Sequence, residues 1–316
     1  MPVKSRWVSY KSYSGYVSSG GPKIEQPVNA ALHVDRAVYL AGLLEAGSWG
    51  TVQGYDGCAM SGGLLHNIAV SPRDLTQGTF FALLREVSAR AKLAFSEVGD
   101  EFLRVGWKVT PDGKLRSVET GALVGGRAIR KELSGSEAGN VAKAGVDSNR
   151  AKLWAERFFR LFTDSTTFAA QSDYAAAWLA EGNRGTELEV YRFFLGPNYA
   201  TLDSIVGIRS AFLPPEVELA MCVYHAFSVN APGIAKAVLE PIVTRNLRGF
   251  SPTPAIAARF SGQLIRTLGK RQYGNWLDAP GDGSNRYDKT RLAIWSRPDL
   301  WDAKLAKSTM PRDLSV

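Results

Sequence analysis

The sequence predicts a mainly α chain of the α+β kind: an early helix, a small glycine-rich β-hairpin, then a helical body. Three observations carry that expectation. After Arg150 apolar residues recur at helical spacing along most of the chain. Between Ser48 and His66 that period disappears, and Gly50, Gly54, Gly57, Gly62 and Gly63 interrupt the chain. With 45% hydrophobic and 22% charged residues in 316, the composition is that of a folded protein, not a disordered or coiled-coil one.

Residues 1–30 alternate small, polar and aromatic types (Trp7, Tyr10, Tyr13, Tyr16) and read as an N-terminal arm or short strand ahead of a domain over 31–316. From Val34 to Glu45 the spacing is helical, with Val34, Val38 and Ala41 on one face, and Gly47 ends the helix as glycine does just past a C-terminus. The run Thr51-Val52-Gln53, the Tyr55-Asp56-Gly57 turn and Leu64-Leu65 suggest a small hairpin or irregular sheet. Asp74 to Phe102 reads as a helix with Phe80, Leu83, Leu84, Val87 and Ala91 on one stripe. Trp107 to Val124 reads as a second hairpin turning at Pro111-Asp112-Gly113. Residues 134–149 are loop-like and mark a weak boundary. Helices are then expected over 150–163, 166–181, 186–195, 199–211, 215–229, 232–246 and 253–272, punctuated by Pro214-Pro215 and Pro232-Gly233.

Composition narrows the classes of function. No run of about 18 apolar residues is present, so membrane insertion is not expected. The N-terminus lacks the apolar core of a secretory signal, which implies synthesis in the cytoplasm. Cys58 and Cys222 are too few for a disulfide scaffold, and Cys222 lies in an apolar helical run that reads as packing. His33, His66 and His225 are too widely spaced for the usual short zinc-ligand patterns, so no metal is expected. The net charge of +8 favours anionic partners. Nearly all of it falls in a basic C-terminal part, 245–316, where thirteen Lys/Arg face six Asp. Those cations are interleaved with Leu264, Leu268, Ile294, Trp295 and Trp301, which reads as a folded surface with a basic face, not a basic tail.

The segment from Leu43 to His66 carries the chemistry. Glu45 falls on the apolar face of its helix, four residues after Ala41 and seven after Val38. Partial desolvation and the negative end of the helix dipole both favour its protonated form, as a general acid requires. Asp56, in the turn Gly54-Tyr55-Asp56-Gly57, is expected to stay hydrated and ionised. Two carboxylates in contrasting settings are what hydrolysis of a glycosidic bond needs. Trp49 and Tyr55 offer flat apolar rings to a sugar face. The loop Gly274-Asn275-Trp276…Asp282…Tyr287 could border a groove, but its spacing does not match a calcium loop.

With Glu45, Asp56, Ser61 and the close Gly62-Gly63-Leu64-Leu65-His66 in this order, the segment resembles the lysozyme-like superfamily, phage lysozymes and endolysins in particular. Those enzymes place a glutamate at the end of an early helix, then a glycine-rich hairpin with an aspartate, a hydroxyl residue and a closing Gly-Ile-Gly-His-like run. Chitosanases share the layout with a longer carboxylate spacing. The resemblance covers residues 33–70. It departs from the phage pattern in having serine where threonine is usual and in its Gly-Gly-Leu-Leu-His close. It implies a lysozyme-like fold and a muramidase acting on the glycan strands of peptidoglycan, without metal or organic cofactor. Glu45 would be the general acid, and Asp56 the water-positioning base or nucleophile. Ser61 and Gln53 would orient water or sugar, and Trp49, Tyr55 and His66 would line the substrate. Such an enzyme would reach the bacterial cell wall through a holin, a virion or a secretion machine.

Two other readings attach to particular residues. Cys58 with His66 nearby in sequence would make a thiol nucleophile pair, but the glycine-rich stretch supplies no helix N-terminus to lower the thiol pKa. The basic C-terminal part would suit a virion structural or nucleic-acid-binding protein, although no nucleic-acid fingerprint accompanies it.

Overall fold

The computed structural model describes residues 4–10, 13–45, 47–54, 58–135, 148–182, 185–197, 205–229, 232–275, 286–312 and 314. The chain is mainly helical and divides into two compact units. The first contains Met1–Ile24 and Glu45–Tyr174; the second contains Glu25–Leu44 and Ala175–Val316. Two helices run through the division, so the weak boundary expected at 134–149 lies inside the first unit. Of the arm or short strand expected over residues 1–30, the structure has strand: the segment supplies the first two strands of this unit.

In the first unit, β1 (Lys4–Tyr10), β2 (Tyr13–Ser19), β3 (Val52–Gln53), β4 (Ser61–Gly62) and β5 (Asn67–Ile68) make one antiparallel sheet in sequence order. Its pleat separates two rows. Val17, Gln53, Ser61 and Ile68 stand opposite one another on one face, and Ser18, Val52, Gly62 and Asn67 on the other. Val52 is fully buried, and a Cβ on Gly62 would sit 3.1 Å from the Phe162 ring and 3.3 Å from that of Phe80. The second row therefore faces the core. Leu64-Leu65, expected to belong to a small hairpin or irregular sheet, form the turn of the β4–β5 hairpin, where Gly63 (φ +74°) and His66 (φ +48°) bend the chain.

The core under the sheet is built on α5 (Ser148–Thr163), whose Trp154, Phe158 and Phe162 stack along one side. Phe80 meets Phe158 edge-on at 4.8 Å, and Phe102 meets Trp154 at 4.7 Å. Where one helix is expected from Asp74 to Phe102, two form: α2 (Phe80–Arg90) and α3 (Lys92–Arg104), broken at Ala91. The first six residues of that stretch stay out of the helix for local reasons. Asp74 accepts bonds from the Thr76 amide and hydroxyl, Gln77 bridges to Val70, and a side chain at Gly78 would collide with the Ile68 carbonyl at 2.2 Å. The break at Ala91 lets Phe102 return against Phe81. The expected second hairpin is β6 (Trp107–Val109) with β7 (Leu115–Ser117), and the Gln77 amide bonds the Leu115 carbonyl and amide and the Val124 carbonyl. A short helix not expected, α4 (Gly126–Ser134), follows and buries Ile129 and Leu133.

The second unit opens with most of α1 (His33–Glu45) and continues from the latter half of α6 (Phe168–Gly182) through α7 (Thr186–Leu195), α8 (Pro215–Ser228), α9 (Pro232–Asn246) and α10 (Pro254–Asn275). These agree with the periodicity to within a few residues. The helix expected over 199–211 does not hold at its end: Arg209 bridges to Leu32, and Ser210–Phe212 is one 3-10 turn. Within it, Ile205 and Val206 are helical, and residues 199–204 lie outside the described residues. Two further helices, α11 (Arg286–Trp295) and α12 (Ala303–Thr309), complete the unit, the second capped by the Asp302 carboxylate on the Leu305 amide. No helix among the described residues is long and apolar enough to cross a membrane.

Candidate functional site

Glu45 is the last residue of α1 and the first of the chain's return into the first unit, and it is half-buried. Gly47 turns the chain with φ +64°. The residues that follow are fastened to the segment just after β2. Ile24 N–H donates to the Gly47 carbonyl, Trp49 N–H donates to the Pro22 carbonyl, and Lys23 bridges to Ser48. Gly50 and Gly21 both lie against the Thr163 methyl, where added Cβ atoms would approach to 2.1 and 2.6 Å. Glycine is required at these two positions by close approach alone, since neither has a positive φ. Ser48 Oγ and Thr51 Oγ1 then join at 2.9 Å before β3 begins.

Gln53 and Ser61 are direct cross-strand partners, so their side chains rise from the same sheet face, the one opposite the phenylalanine core. Ser61 is 2% exposed and Gln53 half-buried. Of the residues singled out from the sequence, these two are brought together. Asp56 and Tyr55 lie outside the described residues. Trp49 takes a different part from the one expected. Its indole is 7% exposed and stacks flat on Phe168 at 4.4 Å, which leaves little of the ring for a sugar. It anchors the segment between Glu45 and β3 instead.

His66 occupies the β4–β5 turn, with its N–H on the Gly63 carbonyl. The side chain keeps partial exposure, but Nε2 is buried without a hydrogen-bond partner. Burial pulls its pKa down to about 4. It is therefore neutral at physiological pH and offers no charge to a substrate. Cys58 lies at the opposite end of this hairpin, where its carbonyl accepts from Val70, so the ladder of β4 and β5 separates the thiol from His66. That arrangement removes the geometric basis for a Cys58–His66 nucleophile pair.

Sequence reasoning missed the residue that closes the turn. Gln171, buried in α6, accepts the Leu64 amide on Oε1 at 3.2 Å and donates to the Phe162 carbonyl and the Thr167 hydroxyl at 3.0 Å each. A glutamine inside a helical run carries no signal of such a role.

Much of the basic C-terminal charge is engaged within its own unit. Arg248 forks onto Glu189, Arg291 onto the buried Asp288 and Arg297 onto Asp299 and the Tyr39 hydroxyl. Arg286 donates to the Ala226 carbonyl, and Arg259 lies over Phe250. Arg245, Lys270 and Lys289 remain exposed. Trp154 is fully buried, whereas Trp178 is half-exposed on a cavity of about 420 Å³ in the second unit. No family model, curated protein or solved structure matches the chain.

Proposed function

We propose that the first unit is a glycoside hydrolase that cleaves the glycan strands of peptidoglycan, a muramidase of lysozyme-like type. The observation that carries this reading is the order and placement of one short segment. A helix ends on a half-buried carboxylate, Glu45, and within seven residues the chain enters an antiparallel sheet where Gln53 and Ser61 share one face. Glu45 is the general acid that protonates the leaving glycosidic oxygen. Asp56 activates or replaces the water on the other side of the sugar ring. Gln53 and Ser61 orient that water or a sugar hydroxyl, and Tyr55 lines the subsite. Trp49 and His66 act in support: the first holds the Glu45–β3 connection on Phe168, the second shapes the hairpin turn. The exposed cations of the C-terminal part favour approach to an anionic wall. The enzyme acts at the bacterial wall after release or delivery by a partner such as a holin, a virion or a secretion machine.

The test is digestion of purified peptidoglycan followed by mass spectrometry of the products, with Glu45→Gln and Asp56→Asn proteins in parallel. Reducing-end muramic acid products that disappear in Glu45→Gln support the reading. Wall clearance by Glu45→Gln at the wild-type rate refutes it.

A further inference from the structure

Outside the site above, the second unit buries a group of side chains that packing alone does not call for. His33 at the start of α1 and Glu218 and Cys222, one turn apart on α8, converge with their polar atoms mutually adjacent. His33 Nδ1 lies 3.6 Å from Glu218 Oε1 and 3.7 Å from Cys222 Sγ, and Cys222 Sγ lies 3.4 Å from the same Oε1. All three residues are buried.

We propose that His33, Glu218 and Cys222 form a binding site for a zinc-class divalent transition-metal ion, held by Nδ1, Oε1 and Sγ with a water in the fourth position. Geometry is the first argument. With zinc bonds of about 2.3 Å to sulfur and about 2.0–2.1 Å to nitrogen and oxygen, a tetrahedron has edges of roughly 3.4 Å between N and O and roughly 3.6 Å from S to either. The three separations in the fold match those edges to within about 0.2 Å. The donors need little or no rearrangement to close on an ion.

The second argument is the shell behind the ligands. His33 Nε2 is 3.0 Å from the Tyr191 hydroxyl, which in turn lies 3.0 Å from His225 Nε2. With the proton on Nε2 donated to Tyr191, Nδ1 carries its lone pair toward the thiol and carboxylate. Metal-bound imidazoles are oriented in this way, by the hydrogen bond of the other ring nitrogen. The third is access. Glu218 also lines a cavity of about 330 Å³ with Arg36, Ser210 and Trp301, so one of the three ligands borders open space.

The ligands neutralise the ion, and the positive charge of Arg36, 18% exposed, stays at the edge of the site. Zinc binding breaks the Cys222 Sγ–H bond and forms Sγ–Zn, and the proton leaves to water. Thiolate and carboxylate then offset the two charges of the ion. Arg36, whose donors go to the Ala30 and Leu300 carbonyls, ion-pairs with Oε1 at 3.8 Å, and the Ser210 hydroxyl donates to the same oxygen at 3.4 Å, a long bond that the ion would replace.

The experiment uses the full chain, stripped with a chelator and titrated with Co²⁺ and Zn²⁺. One equivalent of Co²⁺ should bind with a thiolate-to-cobalt charge-transfer band that Zn²⁺ displaces. Cys222→Ser should abolish the band while Cys58→Ser retains it, and Tyr191→Phe should weaken zinc binding by about 10-fold or more through the lost orienting bond. If Cys222→Ser proves unfolded, zinc-edge X-ray absorption of the wild-type protein decides: one sulfur at about 2.3 Å among lighter donors supports the site. No stoichiometric binding, a band that depends on Cys58, or a shell without sulfur overturns it.

Discussion

Replacing Glu187 with glutamine should change how the second unit's stability depends on pH, by an amount the structure allows to be bounded. Glu187 stands in the first turn of α7, where the helix dipole favours a negative charge. Burial opposes that and wins. The side chain is 8% exposed, Oε2 has no hydrogen-bond partner, and the Tyr224 hydroxyl donates to Oε1 at 2.6 Å. Desolvation pushes the carboxyl up to about 8, against the pull of the Tyr224 bond and of Lys236. The folded state thus keeps a proton that the unfolded chain releases near 4.5, so this group's contribution is whole below pH 4.5 and is lost as pH rises toward 8. At ~1.4 kcal/mol per pH unit, the loss is on the order of 3–5 kcal/mol. Other groups titrate too. Burial holds His225, on the same cavity, down to about 3 and His66 down to about 4, so each adds stability that is full above pH 6.5 and is lost as pH falls. The difference between wild type and Glu187→Gln cancels those terms. Hydrogen exchange of peptides from α7 and α8, at several pH values in increasing urea, reports on this unit. The two proteins should match near pH 4.5, and the variant should gain on wild type by several kcal/mol by pH 8. A difference that stays flat across that window refutes the assignment of a proton to Glu187.

Two further outcomes test the first unit. Gly50→Ala should destabilise it by about 1–3 kcal/mol and lower any glycan-cleaving activity, because the new methyl meets Thr163 Cγ2. Thr163→Ser should recover part of the loss in a double-mutant cycle, and a cycle with no coupling would show that the contact is not the cause. Phe158→Ala should cost roughly 3–5 kcal/mol in urea denaturation, since its buried ring touches those of Phe80, Phe102, Trp154 and Phe162. A loss below about 1 kcal/mol would mean the core collapses around the vacancy.

The helices of the second unit were legible because their periodicity, prolines and glycines agree, as at Pro214-Pro215 ahead of α8 and Pro232 at the start of α9. The break at Ala91 was not, because α2 and α3 share an unbroken apolar stripe and only the return of Phe102 onto Phe81 selects the bend. Gly62 and Gly63 stood out in the sequence as hairpin residues, but their reasons differ: Gly62 is needed by the Phe80 and Phe162 rings, Gly63 by its φ of +74° and by Leu83. The sheet itself was half legible. Two-residue strands have too few positions to show alternation, whereas β1 and β2 pair with each other over seven positions and meet β3 only at Val17 and Ser18.

The same limit explains the buried cluster in the second unit. Short ligand spacings speak against the three histidines scattered over the chain, because spacing rules describe sites built on one loop or one helix. Here the ligands come from two elements, with His33 separated from Cys222 by 189 positions. One signal was nevertheless present. Glu218 and Cys222 are four residues apart on a helix that is apolar on almost every side. A carboxylate inside such a run must be paired, protonated or bound to an ion, because an isolated charge there is too costly to bury. The same cost bears on Glu45 and weighs more on Glu218, which is the more deeply buried of the two. Glu218 therefore needs a partner. Which partner depends on what α1 brings across from it, and that is decided by the fold.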